Sequence, residues 1–159
     1  MKETEKIHQT VLRKEAVDWL VTKDSGIYVD ATLGMGGHSE EILGRFKKTR
    51  LIGIDQDLDA IAIAKERLEK FGERFQVFHA NFSEIGEVLQ EAKIEKVDGI
   101  LADLGVSSLQ LDSENRGFSF RFDAPLDMRM DANSEGETVA ELLERLSEFE
   151  IAKIIFEYG

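Results

Sequence analysis

Ile27-Tyr28-Val29-Asp30-Ala31-Thr32-Leu33-Gly34-Met35-Gly36-Gly37-His38-Ser39 is the stretch on which the fold turns. Its first three residues read as a short strand, and from Asp30 to His38 the chain is small and glycine-rich. A helical stretch follows from Ser39 to about Phe46, with Ile42, Leu43 and Phe46 on one face. A strand that runs into glycines and then a helix lets backbone approach a ligand without side-chain obstruction. The loop is therefore the first candidate site, and a tight turn with no ligand is the alternative.

Upstream, Val11, Leu12, Ala16, Trp19 and Leu20 have the spacing of an amphipathic helix, which Asp24-Ser25-Gly26 ends. Downstream, Leu51-Ile52-Gly53-Ile54 predicts a second strand. Asp57 is placed to cap a helix holding Leu58, Ile61, Ala62, Ala64, Lys65 and Leu68. Phe75 to Phe78 predicts a third strand, Ser83 a capped helix to about Ala92, and Val97 to Ala102 a largely buried fourth strand ending at Asp103. Strands alternating with helices imply a parallel sheet, because parallel neighbours need a long connection that packs back across it. Ligands of such sheets sit at the carboxyl ends of the strands.

Beyond Gln110 the character changes. Asn115 to Asp131 is polar, aromatic and irregular and holds the single proline, Pro125. Helical spacing returns at Val139, Leu142, Leu143 and Leu146, and Ser147-Glu148-Phe149-Glu150 has the form of a capping box opening a last helix. Two parts are expected: 1–112, a Rossmann-like ligand-binding subdomain, and 113–159, the start of a helical domain. Four strands alone would leave the fourth at a sheet edge although its apolar run suits burial, so further strands are expected beyond this sequence.

Composition narrows the function classes. The 159 residues are 42% hydrophobic and 33% charged, enough for an ordinary globular core. The absence of cysteine excludes disulfides, thiolate metal sites and a cysteine nucleophile, and a reducing cytoplasm is compatible with it. No apolar run reaches the length of a membrane span, and the first ten residues are not signal-like. A net charge of −12 argues against gripping a phosphate backbone by general electrostatics. No metal site is expected.

A dinucleotide fingerprint would need a third glycine where Ser39 stands, and no Walker lysine follows the loop. Asp55 closes the second strand, where a carboxylate accepts both hydrogen bonds of a ribose diol; a helix cap or a surface turn is the alternative. Phe82, after the third strand, offers apolar surface to an adenine ring or packs in the core. Asp103, in Asp103-Leu104-Gly105-Val106-Ser107-Ser108, is placed to meet a substrate amine, or else it or a nearby serine caps a helix. His38, beside a helix start, is more often structural than catalytic in such a place.

Together these segments resemble the ribosomal RNA small subunit methyltransferase H family. The resemblance runs through His8-Gln9-Thr10-Val11-Leu12, Asp30 to Ser39, Asp98 to Ser108, Arg116-Gly117-Phe118-Ser119-Phe120 and Pro125-Leu126-Asp127-Met128-Arg129-Met130-Asp131. It implies a Rossmann-like class I fold and transfer of a methyl group from S-adenosylmethionine to the exocyclic N4 of a cytosine in 16S ribosomal RNA. It also implies a cofactor site in which Gly34, Gly36, Gly37 and His38 form the loop, Asp55 holds the ribose, and Phe82, Asp103 and Gln110 complete the pocket. The resemblance further implies that Asp103 faces the methyl-transfer position as the catalytic residue. The family often has proline where Leu109 stands, which loosens the inference at Gln110.

Members of that family are about twice as long, so this chain is expected to stop within the helical domain. The implied partner is 16S ribosomal RNA or the small ribosomal subunit, and a homodimer is compatible. Arg116, Phe118, Phe120, Arg121 and Arg129 are placed to stack on or pair with a displaced nucleotide, or else to pack under a surface segment. Two rivals stand beside this reading: a nicotinamide-dependent oxidoreductase, disfavoured by Ser39, and a non-catalytic fragment that binds S-adenosylmethionine or RNA.

Overall fold

The computed structural model describes residues 11–159, so His8 to Thr10 of the first matching segment lie outside the described residues. It forms two compact units, one ending at Gly105 and one running from Val106 to Gly159.

The first unit carries β1 (Ile27–Asp30), β2 (Arg50–Asp55), β3 (Phe75–His79) and β4 (Gly99–Leu101), with α1 (Arg13–Leu20) ahead of β1 and α2 (Gly37–Arg45), α3 (Leu58–Leu68) and α4 (Ile85–Glu91) between successive strands. The strands form one parallel sheet in the order β3-β2-β1-β4, as the alternation of periods implied. Side chains alternate across it. Tyr28 and Leu51 meet Val17 of α1, Ile42 and Leu43 of α2, and Ile61, Ala64 and Leu68 of α3 on one face. Val29, Ile52 and Ile54 meet Val88 and Leu89 of α4 on the other.

The strand order positions the site. After β1 the chain steps outward through β2 to β3, then returns to place β4 on the opposite side of β1. That reversal opens a crevice beyond the carboxyl ends of β1 and β4, where the Asp30 loop and the Asp103 segment emerge.

Several local expectations change. The fourth strand is three residues rather than Val97 to Ala102, and it is less buried than its apolar run suggested: among the described residues it pairs with β1 alone, and Ile100 is 51% exposed. In α1 the residues that pack are Val17, fully buried, and Leu20, whereas Trp19 is 86% exposed. Spacing identified the helix, but the bulkiest apolar residue lies off the face turned to the sheet. Asn81, not Ser83, makes the cap after β3, through a reciprocal box with Glu84 that opens the turn Phe82–Glu84 ahead of α4. Asp57 caps α3 as expected, accepting from the amides of Asp59 and Ala60.

The second unit contains α5 (Ser108–Asp112), α6 (Val139–Arg145) and α7 (Glu148–Tyr158). Each opens with a reciprocal capping box, Ser107 with Gln110, Thr138 with Glu141 and Ser147 with Glu150, the last as the spacing predicted. The irregular stretch between α5 and α6 is held by two arginines. Arg116, buried, donates to the carbonyls of Arg129 and Met130, and the Met128 amide donates back to the Arg116 carbonyl. Arg129 forks onto Asp127 at 2.8 and 2.7 Å and also reaches the Ser134 carbonyl at 2.5 Å. These two arginines tie backbone together, which accounts for them without a nucleotide. Among the described residues no helix is long and apolar enough to cross a membrane.

The Asp127–Arg129 pair makes the second unit acid-sensitive. The Arg129 guanidinium holds the Asp127 carboxyl down at about 2, below its ordinary 3.8. A lowered carboxyl contributes stability above its unfolded value and loses it as pH falls through the folded one. Roughly 2 kcal/mol is expected to be lost between pH 4 and pH 2, with the carboxylate about one-fifth exposed. Acid titration of the Met128 and Arg129 amide resonances, wild type against Asp127→Asn, checks this; equal acid sensitivity in the two would refute it.

Candidate active site

Three carboxylates stand at the strand ends: Asp30 closes β1, Asp55 closes β2, and Asp103 follows β4 by two residues. The glycine loop reaches across to the second of them. The Gly34 amide donates to Asp55 Oδ2 at 2.6 Å, and the Asp57 amide donates to Oδ1 at 2.9 Å. A carboxylate offers about four lone-pair directions, so the side chain, already oriented by two amides, keeps acceptor capacity for two hydroxyls.

The loop needs glycine for two separate reasons. Gly34 and Gly36 have φ of +49° and +78°, in the left-handed region that residues with a Cβ rarely adopt. A Cβ on Gly36 would also sit 3.2 Å from Leu68 Cδ1 and 3.3 Å from Ala64 Cβ, so the loop lies against α3. Gly37 and His38 then form the first turn of α2, whose cap position, Gly36, supplies no side-chain hydrogen bond. That leaves first-turn amides for an anionic group.

Asp30, fully buried, accepts from the Ser39 hydroxyl at 2.7 Å and the Thr32 amide at 3.3 Å. Burial pushes its carboxyl up, while Ser39 and the nearby His38 oppose the shift. Ser39, the residue that breaks the dinucleotide fingerprint, thus holds the first strand's terminal acid. Thr32 ties the loop to β4: its Oγ1 accepts from the Asp103 amide at 2.7 Å.

His38 is buried, with Nε2 3.2 Å from the Val11 carbonyl and Nδ1 4.0 Å from Asp103 Oδ2. The Asp103 side chain is 56% exposed. Phe82 lies outside both core clusters and is 45% exposed, against the core alternative. Beside it, Asn81 Nδ2 donates to Gln56 Oε1 at 2.9 Å and the Ala80 backbone amide donates to the Asp55 carbonyl at 3.0 Å, lacing the ends of β2 and β3. Gln110 belongs to the second unit, where its Oε1 accepts from the Ser107 amide at 2.9 Å in the box that opens α5.

The first unit therefore brings together Gly34, Gly36, Gly37, His38, Asp55 and Asp103. Sequence reasoning missed Thr32, Ser39 and Gln56 as the residues that lace them. Thr32 and Ser39 carried a faint signal as hydroxyls flanking a glycine loop, and Gln56 carried none.

With that geometry in view, a model of the MraW methylase family matches residues 5–159. The chain belongs to the MraW methylase family. Among curated relatives of this MraW-family chain, ribosomal RNA small subunit methyltransferase H of Gloeobacter violaceus (strain ATCC 29082 / PCC 7421) is 49% identical over 153 residues, covering 96% of this chain and 47% of its own length. The protein of the same description from Sorangium cellulosum (strain So ce56) is 51% identical over 152 residues, covering 96% and 48%. The chain spans about half the length of the curated relatives it matches. Among solved structures, the C-terminal domain of precorrin-6Y C5,15-methyltransferase from Rhodobacter capsulatus aligns with a TM-score of 0.50 at 16% identity, covering 67% of this chain and 55% of that one. The MraW-family chain thus has the Rossmann-like methyltransferase fold.

Proposed function

We propose that this chain carries the cofactor half of an enzyme that transfers a methyl group from S-adenosylmethionine to the exocyclic N4 of a cytosine in 16S ribosomal RNA. The partner is that RNA or the small ribosomal subunit containing it. Family membership and the description shared by its relatives support the reaction class. The observation that carries the site is the Gly34 amide on the Asp55 carboxylate at 2.6 Å, which joins glycine loop and ribose-type acid into one cradle.

The residues suit such a ligand. Asp55 would hold a diol, the first-turn amides of α2 would hold a carboxylate, and Phe82 offers exposed ring surface beside the loop after β3. When bound, S-adenosylmethionine supplies a methyl group already activated by its sulfonium. The protein's task is then alignment and handling of a proton. Asp103, tethered through its amide to Thr32 and exposed at the crevice, accepts a hydrogen bond from the target amine and localises the nitrogen lone pair that the ring otherwise delocalises. The net charge of −12 assigns the grip on RNA phosphates elsewhere than this half.

Calorimetry with S-adenosylmethionine and with NAD, followed by transfer of labelled methyl to small ribosomal subunits, tests the proposal. Binding of the first ligand and transfer to RNA support it; preference for NAD overturns it, and cofactor binding without transfer favours a non-catalytic fragment. Asp55→Asn, which keeps an acceptor oxygen for only one of the two backbone amides and removes the other, is expected to weaken S-adenosylmethionine binding at least about tenfold. An unchanged dissociation constant would remove Asp55 from the ribose role.

A further inference from the structure

His38 stands between the backbone and Asp103 in a way that cofactor contact alone does not explain. A carbonyl oxygen only accepts, so the 3.2 Å contact between Nε2 and the Val11 carbonyl requires the hydrogen on Nε2. In the neutral ring Nδ1 is then a bare acceptor. It faces Asp103 Oδ2 at 4.0 Å, a second group that only accepts. Two acceptors this far apart make no direct hydrogen bond. The pair is completed by a proton or donor brought between them.

The approach to that pair has a direction. Asp103 is 56% exposed and His38 is buried behind it, with the buried Asp30 near enough to the ring to be affected by its charge. Asp30, Asp55 and Asp103 are the acids gathered at these strand ends. A positive imidazole would lie between two of them. The segment that supplies the Val11 carbonyl is specially shaped: Leu12, which follows Val11 and stands at the N-cap position of α1, holds φ at +50°. Nothing in a bare helix start calls for that conformation.

We propose that His38 is a positioning residue for proton removal: Val11 fixes its tautomer, and its Nδ1 takes, through Asp103, the proton that the methylated amine sheds. This rests on the methyl-transfer reading above. Transfer forms the bond from the amine nitrogen to the methyl carbon with the nitrogen lone pair. It breaks the sulfur–carbon bond, whose electrons stay on sulfur, and leaves the nitrogen with one hydrogen too many. Asp103 takes that hydrogen as a proton on its exposed side and passes it to Nδ1 on its buried side.

The chain has three histidines, so ring nitrogens labelled with 15N can be resolved and assigned. At alkaline pH the wild type is expected to show His38 with hydrogen on Nε2 and a bare Nδ1. Asp103→Asn, whose amide can donate to Nδ1, is expected to shift the Nδ1 resonance while leaving Nε2 in place. A hydrogen on Nδ1 in the wild type, or an Nδ1 resonance unmoved by Asp103→Asn, overturns the pairing and leaves the methyl-transfer reading intact. In the transfer assay, His38→Gln retains a donor for the Val11 carbonyl but no ring nitrogen to accept a proton from Asp103. With S-adenosylmethionine saturating, it is expected to lower kcat at least about tenfold. Unchanged kcat overturns the proton step, and absence of transfer by the wild type overturns that step together with the reaction. The wild-type tautomer measurement holds whether or not the variants fold.

Discussion

Changing Asp103 to alanine is expected to lower kcat for methyl transfer by about a thousandfold while shifting folding stability by less than about 0.5 kcal/mol. The two effects separate because backbone and side chain do different work at this position. The Asp103 amide donates to Thr32 Oγ1 at 2.7 Å and ties β4 to the glycine loop, and alanine keeps that bond. The carboxylate is more than half exposed, so its loss opens no cavity, and it makes no direct hydrogen bond to the buried His38 Nδ1 4.0 Å away. What disappears is the acceptor at the crevice beyond β1 and β4. Single-turnover transfer of labelled methyl, with the amide spectrum as control for folding, measures both quantities. Turnover at the wild-type rate would take Asp103 out of the chemistry.

The second large effect is expected in the other unit, where Gly117→Ala should cost about 3 kcal/mol or more of local stability. Gly117 has φ +73°, and a Cβ there would lie 2.5 Å from the Pro125 carbonyl oxygen and 3.1 Å from the Asp127 nitrogen. Both are backbone atoms joined to each other by the Asp127 amide donating to Pro125 at 2.9 Å, so neither can swing aside as a side chain would. Arg116 next door holds the carbonyls of Arg129 and Met130, and the displacement would pull on that frame directly. Hydrogen exchange at the Met128 amide, which donates to the Arg116 carbonyl, should accelerate on the order of a hundredfold or more. Wild-type protection in the variant would mean that the turn yields more easily than its geometry implies.

Both positions sit in strings that sequence resemblance already marked, but the marking did not say what each residue does. Arg116 and Arg129 were candidates for contact with a nucleotide, and the fold spends both on backbone carbonyls and on Asp127. Phe82 was open between core and ligand surface, and its exposure resolves the core half of that question. Trp19 was counted into a buried face and lies outside it. In each case spacing and residue type could not choose, because the same side chain serves packing, surface or ligand according to which face its neighbours cover.

By itself the sequence determined the alternation of strand and helix, the parallel sheet, the glycine loop after β1 and the caps at Asp57 and Ser147. These depend on contacts within a few residues and on the period of apolar side chains, which are written along the chain. Only the tertiary structure decided that β4 returns to the far side of β1, that Thr32 takes the Asp103 amide, that Ser39 holds the buried Asp30 and that His38 is set between Val11 and Asp103. Val11 and Asp103 lie far from the loop in the sequence, and a hydrogen bond between such residues exists only after the sheet order has brought their backbones together.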